Sequence, residues 1–143
     1  MSAIRTIFAW AFCIQIGMAG MVAAAEDGKL SVELNDLQAA DEGCRAVFVL
    51  HNGLDKALDA LALRIVSFDA AGHATLFLSL EVGAMPVGKT RILRFDLGAE
   101  VLCGDVSRIV LDDVVSCDAP DMGAPECLAA VSLSSRADVP FDL

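Results

Sequence analysis

Apolar and polar residues alternate through most of this chain. In KLSVELNDL (29–37), Leu30, Val32 and Leu34 share one face, and Ser31, Glu33 and Asn35 share the other. CRAVFVLHN (44–52) sets Cys44, Ala46, Phe48 and Leu50 against Arg45, Val47, Val49 and His51. A period of two is that of a half-buried β-strand. The period recurs in LDALALRIVSFD (58–69), with Leu61, Leu63 and Ile65 on one face, and again in ATLFLSLEV (74–82) and TRILRFDL (90–97). It continues in GDVSRIVLDDVVSC (104–117), where Ile109 and Leu111 face inward, and in CLAAVSLSSR (127–136). No window longer than about ten residues sustains a helical period. The segments DEG, NGLDKA, DAAGH and GAMPVGKT punctuate the series, and Asn52-Gly53 supplies residues that tolerate positive φ. Seven strand candidates, A to G, at intervals of about ten to fifteen residues predict an all-β fold. The expected architecture is a sandwich of two antiparallel sheets. CLAA is alternatively a short helical turn, since Leu and Ala favour helix. ADVPFDL (137–143) is a tail, expected to pack back as an extra edge segment.

The first 25 residues break this pattern. MSAIRT carries one positive charge, Arg5, and IFAWAFCIQIGMAGMV is apolar apart from Gln15. Small residues follow at 23–25, then Glu26 and Asp27. This is the layout of a secretory signal peptide with a helical apolar stretch, cleaved between Ala25 and Glu26. The apolar run is interrupted by Gln15, Gly17 and Gly20, which speaks against a membrane anchor. Arg5 stands alone, so a Sec-type rather than a twin-arginine signal is expected. Cys13 is preceded by WAF rather than by small residues, which excludes a lipoprotein signal. Residues 26–143 then form a single domain, enough for one core.

Export changes how the cysteines read. Four remain after cleavage, namely Cys44, Cys103, Cys117 and Cys127. An even number in a small exported domain points to a disulfide framework, with three connectivities open. Structural zinc and dithiol redox sites favour close pairs, and there is no Cys-x-x-Cys here. Losing Arg5 leaves nine Lys and Arg against twenty Asp and Glu, a net charge of −11. An acidic chain is not expected to bind nucleic acid or anionic lipid through a general field. The acids are dispersed, as solubility requires.

The stretch VFVLHNGLDKALDALALRIVSFDAAGH, with MPVGKTRILRFDL after it, resembles small bacterial extracellular immunoglobulin-like or fibronectin-like sandwich modules. The resemblance is carried by Phe68-Asp69 ahead of Gly72 and by the Pro86–Gly88 loop, and it covers residues 47–97. The fuller chain, with CRAVFVLHNG, GKTRILRFDL, SRIVLDDV, CLAAVSLSSR and VPF, is similar to a family of small exported alphaproteobacterial proteins of unknown function, often labelled Tat-pathway-signal proteins. That likeness implies a periplasmic home and no assigned activity. The twin arginine of the label is missing here. In immunoglobulin-type sandwiches, strands B and F lie in opposite sheets and are often bridged. That arrangement implies Cys44–Cys103, and leaves Cys117–Cys127 to close the F–G connection. The buried Trp of strand C and the tyrosine corner of true immunoglobulin domains are absent.

Few residues invite chemistry. His51 and His73 sit at turns, and each reads as a solvated or locally bonded side chain. A Ser–His–Asp set drawn from Ser79, His51 and Asp69 has no supporting local motif. Asp112 and Asp113 are adjacent on a strand and should face opposite sides. Asp113 then points inward with Ile109 and Leu111 unless a bulge intervenes, and is expected to bond neighbouring backbone N–H groups. Asp118, Asp121 and Glu126 offer three carboxylates, but Pro120 and Pro125 break a calcium-loop pattern. Gly88-Lys89-Thr90 leads into a strand, unlike a phosphate loop.

The expected function is a non-catalytic binding or accessory module with a protein partner in the cell envelope. No catalytic residue, cofactor or metal is assigned, and no membrane association is expected after cleavage. The candidate surfaces are the Cys117–Cys127 loop, the Met85/Pro86 loop and the tail 134–143. The alternative is a small hydrolase or metal-dependent enzyme, which needs His51, His73 and a carboxylate in one cavity. The oligomeric state is not fixed by the sequence.

Overall fold

The alternating segments become strands because each has one apolar face to bury, and burying a Leu or Phe stabilises by about 1.5–3 kcal/mol. A computed structural model describes residues 27–143. The strands are β1 (Leu30–Ala39), β2 (Cys44–Asn52), β3 (Ala60–Phe68), β4 (Ala74–Glu81), β5 (Thr90–Asp96), β6 (Arg108–Asp118), β7 (Val131–Ser135) and β8 (Phe141–Asp142). A 3-10 turn covers Cys103–Asp105, and a helix, α1, covers Ala124–Ala130. One sheet has the order β5-β2-β1-β7 and the other β4-β3-β6-β8. Their facing sides share a single core. Leu30, Leu34, Phe48 and Leu50 from the first sheet meet Leu63, Ile65, Ile109 and Leu111 from the second. The expected leader, residues 1–25, and the cleavage site between Ala25 and Glu26 lie outside the described residues.

The arrangement is sandwich-like but not wholly antiparallel. β7 runs parallel to β1, and β8 runs parallel to β6. Strand G was expected over 127–136, with CLAA alternatively helical, and CLAA does complete α1, which begins at Ala124 after the N-cap Gly123 and has Pro125 in its first turn. Only Val131–Ser135 pair as a strand. The tail returns as an eighth strand, with Phe141 buried against Phe48 at a ring separation of 5.6 Å.

One disulfide sits at each end of the sandwich. Cys44 opens β2 and joins Cys103 in the 3-10 turn, with Cα atoms 4.9 Å apart. The bond links the first sheet to the segment that leads into β6 of the second. At the opposite end, Cys117 on β6 joins Cys127 on α1, Cα atoms 6.4 Å apart. Cys44, Cys117 and Cys127 are all buried.

The β1–β2 turn packs against the chain just after β5. Gly43 has φ +80°, and a Cβ there would collide with the backbone carbonyl of Gly98. Both the left-handed conformation and the backbone contact demand glycine. Gly43→Ala should therefore lose about 2–3 kcal/mol of stability. An unchanged urea midpoint in that variant would contradict the packing described.

Candidate functional site

The two histidines do not meet. His51 is an outward residue of β2 in the first sheet, and its Nδ1 shares a 2.9 Å hydrogen bond with Thr90 Oγ1 on β5. His73 lies in the β3–β4 turn of the second sheet, 78% exposed, with Nδ1 3.2 Å from Asp69 Oδ2. Ser79 is on β4, where its Oγ donates to Glu81 Oε1. The Ser79, His51 and Asp69 set is thus spread over both sheets.

Three open clefts lie around the end that carries the Cys44–Cys103 bond. The largest, about 640 Å³, runs between the β1–β2 turn and Gly98, with Arg45 and Asp96 in its wall. A second, about 430 Å³, lies between Asp69 and the segment 100–106. A third, about 440 Å³, shares Gly104 and Val106 with it and is flanked by Arg136 and Asp138. The cations there are already paired. Arg45 Nε donates to Asp96 at 2.7 Å, and Arg136 Nε donates to Glu33 at 3.0 Å. Neither histidine lines any of these clefts. Among the described residues, no group of three His, Cys, Asp or Glu could hold a metal ion.

Asp112 and Asp113 depart from the expectation of opposite faces. Register shifts with β3 leave Asp112 and Val115 as extra residues on β6. The bulges move the buried positions to Ile109, Leu111, Val114 and Cys117, so Asp113 does not point into the core. Both carboxylates instead reach Arg64 on β3, Asp112 to Nε at 2.5 Å and Asp113 to Nη2 at 3.2 Å. The Asp112 bond, then its charge and that of Asp113, raise the Arg64 pKa further above its ordinary value against the opposing effect of burial. The partner of Asp113 is a guanidinium rather than backbone N–H groups.

The other end holds the disulfide-tied loop. Ala119 and Met122 form a bridge, Asp121 has φ +56°, and Lys56 Nζ donates to the Pro120 carbonyl at 3.3 Å. Glu126 is occupied locally, since its Oε2 accepts the Gly123 N–H at 3.0 Å. Its carboxylate is thereby committed to the start of α1. The Met85/Pro86 loop is divided, with Pro86 and Val87 exposed and Met85 turned inward. Met85 is fully buried and bridges Leu58.

Asn52 is what fixes that loop. It is completely buried, ends β2 and does not take positive φ, nor does Gly53. Its Nδ2 donates to the carbonyls of Lys56, Met85 and Pro86, and its Oδ1 accepts the Leu54 N–H. Gly88 N–H and Lys89 C=O bond the Asn52 backbone. The Gly88-Lys89-Thr90 segment is therefore stitched to β2. The clue in the sequence was the Asn two residues before Leu54, a spacing suited to a side-chain turn.

Asp69 plays a similar role in the β3–β4 turn. Its Oδ1 accepts the N–H groups of Ala71 and His73, both at 2.9 Å. The His73 N–H, followed by the His73 ring and the Ala71 N–H, holds the carboxyl below its usual pKa although burial pushes the other way. Glu126 is lowered in the same sense by its own N–H and then by that of Gly123. A lowered folded pKa contributes stability above the unfolded value, about 4, and the contribution is lost as pH falls through the folded one. Urea midpoints should thus decline below about pH 4. Asp69→Asn keeps an acceptor for the turn and should make that decline shallower. An acid limb as steep as in the parent would count against the assignment.

Compared with family models, curated proteins and solved structures, the chain matches none.

Proposed function

We propose that this chain is a non-catalytic binding or accessory module of the bacterial periplasm, exported by a Sec-type signal and presenting end loops on an immunoglobulin-like, disulfide-tied frame to a protein partner. The observation that carries the reading is the distribution of reactive side chains. His51 lies on β2 of the first sheet and His73 in the β3–β4 turn of the second, neither lines the three clefts described, and the Asp69 carboxylate beside His73 is bonded into its turn. What the frame does offer is ordered loops on a stapled scaffold, the usual site of recognition in such folds. Of the three surfaces expected, the Cys117–Cys127 loop keeps its exposed carboxylates Asp118 and Asp121, whereas Met85 and Phe141 are buried.

The test is capture of partners by the mature protein from a periplasmic extract, followed by mass spectrometry. A specific protein should be retained equally by the parent and by a His51→Ala/His73→Ala variant. Recovery of nothing above background would count against binding. Amino-terminal sequencing of the exported protein should begin at Glu26.

A further inference from the structure

The two sheets have four edges, and they are not alike. β8 is two residues long and β7 is five, too short to template much pairing. β5 is seven residues long but carries Arg91, Arg94 and Asp96. Arg91 falls at the inward parity of Leu93 and Phe95, and its Nη2 donates to the Ala84 carbonyl at 2.9 Å. An inward-pointing charge is one of the devices that keep an edge strand unpaired. β4 has no inward-pointing charge, and its one bulge, at Thr75, lies at the very start of the strand. Its eight residues, ATLFLSLE, contain one charge and no proline, and its register with β3 is regular from Ser67↔Leu76 to Ala62↔Glu81.

The backbone of that edge is available. Val82 N–H donates to Leu61 C=O at 2.9 Å, so the even-numbered residues of β4 direct their polar groups toward β3. Within the regular register, Phe77, Ser79 and Glu81 direct theirs away from the sheet. Phe77 also projects its ring from the outer face, 67% exposed, and is the bulkiest exposed apolar side chain among the described residues.

We infer that β4 pairs antiparallel with β4 of a second copy of this chain, about a two-fold axis through Leu78. The strand's own pattern selects this occupant. In that register Leu76 opposes Leu80 of the second copy on the inner face, and Phe77 opposes Ser79 of the second copy on the outer face. Glu81, the one charged side chain, falls at the end of the ladder, level with the bulge at Thr75 of the second copy, whose hydroxyl stays bonded to Ser67 within its own sheet. The two Glu81 carboxylates are then held at opposite ends of the ladder, with no like charges paired. An edge whose regular stretch, Leu76–Leu80, is uncharged and complementary to itself meets its own copies whenever the protein is concentrated. The inference stands apart from the binding-module reading, because partner capture through the end loops does not require it.

Sedimentation velocity of the exported protein, as purified from the periplasm, tests it. A strand-edge contact is small, so a dimer with a Kd of about 10–100 µM is expected. Each copy carries a net charge of −10, or −11 without Arg5 of the expected leader. Raising NaCl from about 50 to about 500 mM should therefore tighten association several-fold by screening the repulsion. Phe77→Lys should weaken it at least about tenfold. Ile92→Lys, at a comparably exposed apolar position on β5, should leave it unchanged. Unaltered thermal melts in both variants verify the fold. A monomer at all concentrations up to about 1 mM in high salt would overturn the inference. So would a dimer that Phe77→Lys leaves intact, or one that salt weakens, which points to a different and oppositely charged contact.

Discussion

Asn52→Asp should cost about 3–4 kcal/mol of folding stability at neutral pH, although it changes a single atom. The amide nitrogen of Asn52 faces three backbone carbonyls, those of Lys56, Met85 and Pro86, at 2.9, 2.8 and 3.3 Å. A carboxylate oxygen in that place is an acceptor among acceptors, in a site with no solvent exposure. The introduced carboxyl must either ionise against those dipoles or take up a proton and offer one donor where the amide offered two. Its folded pKa is consequently raised. A raised carboxyl pKa makes the variant lose stability as pH climbs from the unfolded value, about 4, toward the folded one. The deficit relative to the parent should be smaller at about pH 4.5 than at about pH 7.5. Urea titrations at the two pH values decide the matter, and a pH-independent deficit would mean that the carboxyl escapes the site.

Removing the Cys44–Cys103 bond is expected to be the other large loss. The two residues are 59 apart in sequence, and the chain-entropy account assigns such a closure about 4 kcal/mol. Cys117 and Cys127 are 10 apart, for which the same account gives about 2–3 kcal/mol. A Cys44→Ala/Cys103→Ala protein should therefore unfold at lower urea than a Cys117→Ala/Cys127→Ala protein. The reverse order would show that the clasp on α1 carries more than its loop length implies. Intact mass before and after alkylation of the parent provides the baseline, since four free thiols would remove the premise.

Periodicity made the strands legible. CRAVFVLHN and the inner faces of β1, β2 and β5 read directly from alternation, because each strand has one wet and one dry side. β6 resisted the same reading. Its two bulges advance the buried positions by three residues at a time after Leu111, so Asp112 and Asp113 converge on Arg64 instead of splitting between faces. Alternation carries no mark of an inserted residue. The parallel pairs were also hidden, since strand direction depends on connections rather than on the residues of the strand. Asn52 looked like a turn former and proved to be a buried bonding centre, because two of the three carbonyls it satisfies, those of Met85 and Pro86, lie in a segment remote in sequence. Residues 74–81 read only as one more alternating strand, and that β4 is terminal in its sheet emerges from topology alone.

The parallel ladder between β1 and β7 sets a timetable for folding. Leu30 pairs with Val131 and Leu34 with Ser135, so the first strand of the domain acquires its second neighbour only from near the last. β8 then follows to flank β6. Pairings of such long range close loops spanning most of the domain, and chains dominated by them collapse to the native state slowly. A chain emerging into a new compartment amino-terminus first would hold β1 with one edge open until its final segment arrived. For such a chain the native pairing would be complete only once nearly the whole domain had been delivered, and the Cys44–Cys103 and Cys117–Cys127 thiols would have that interval in which to oxidise.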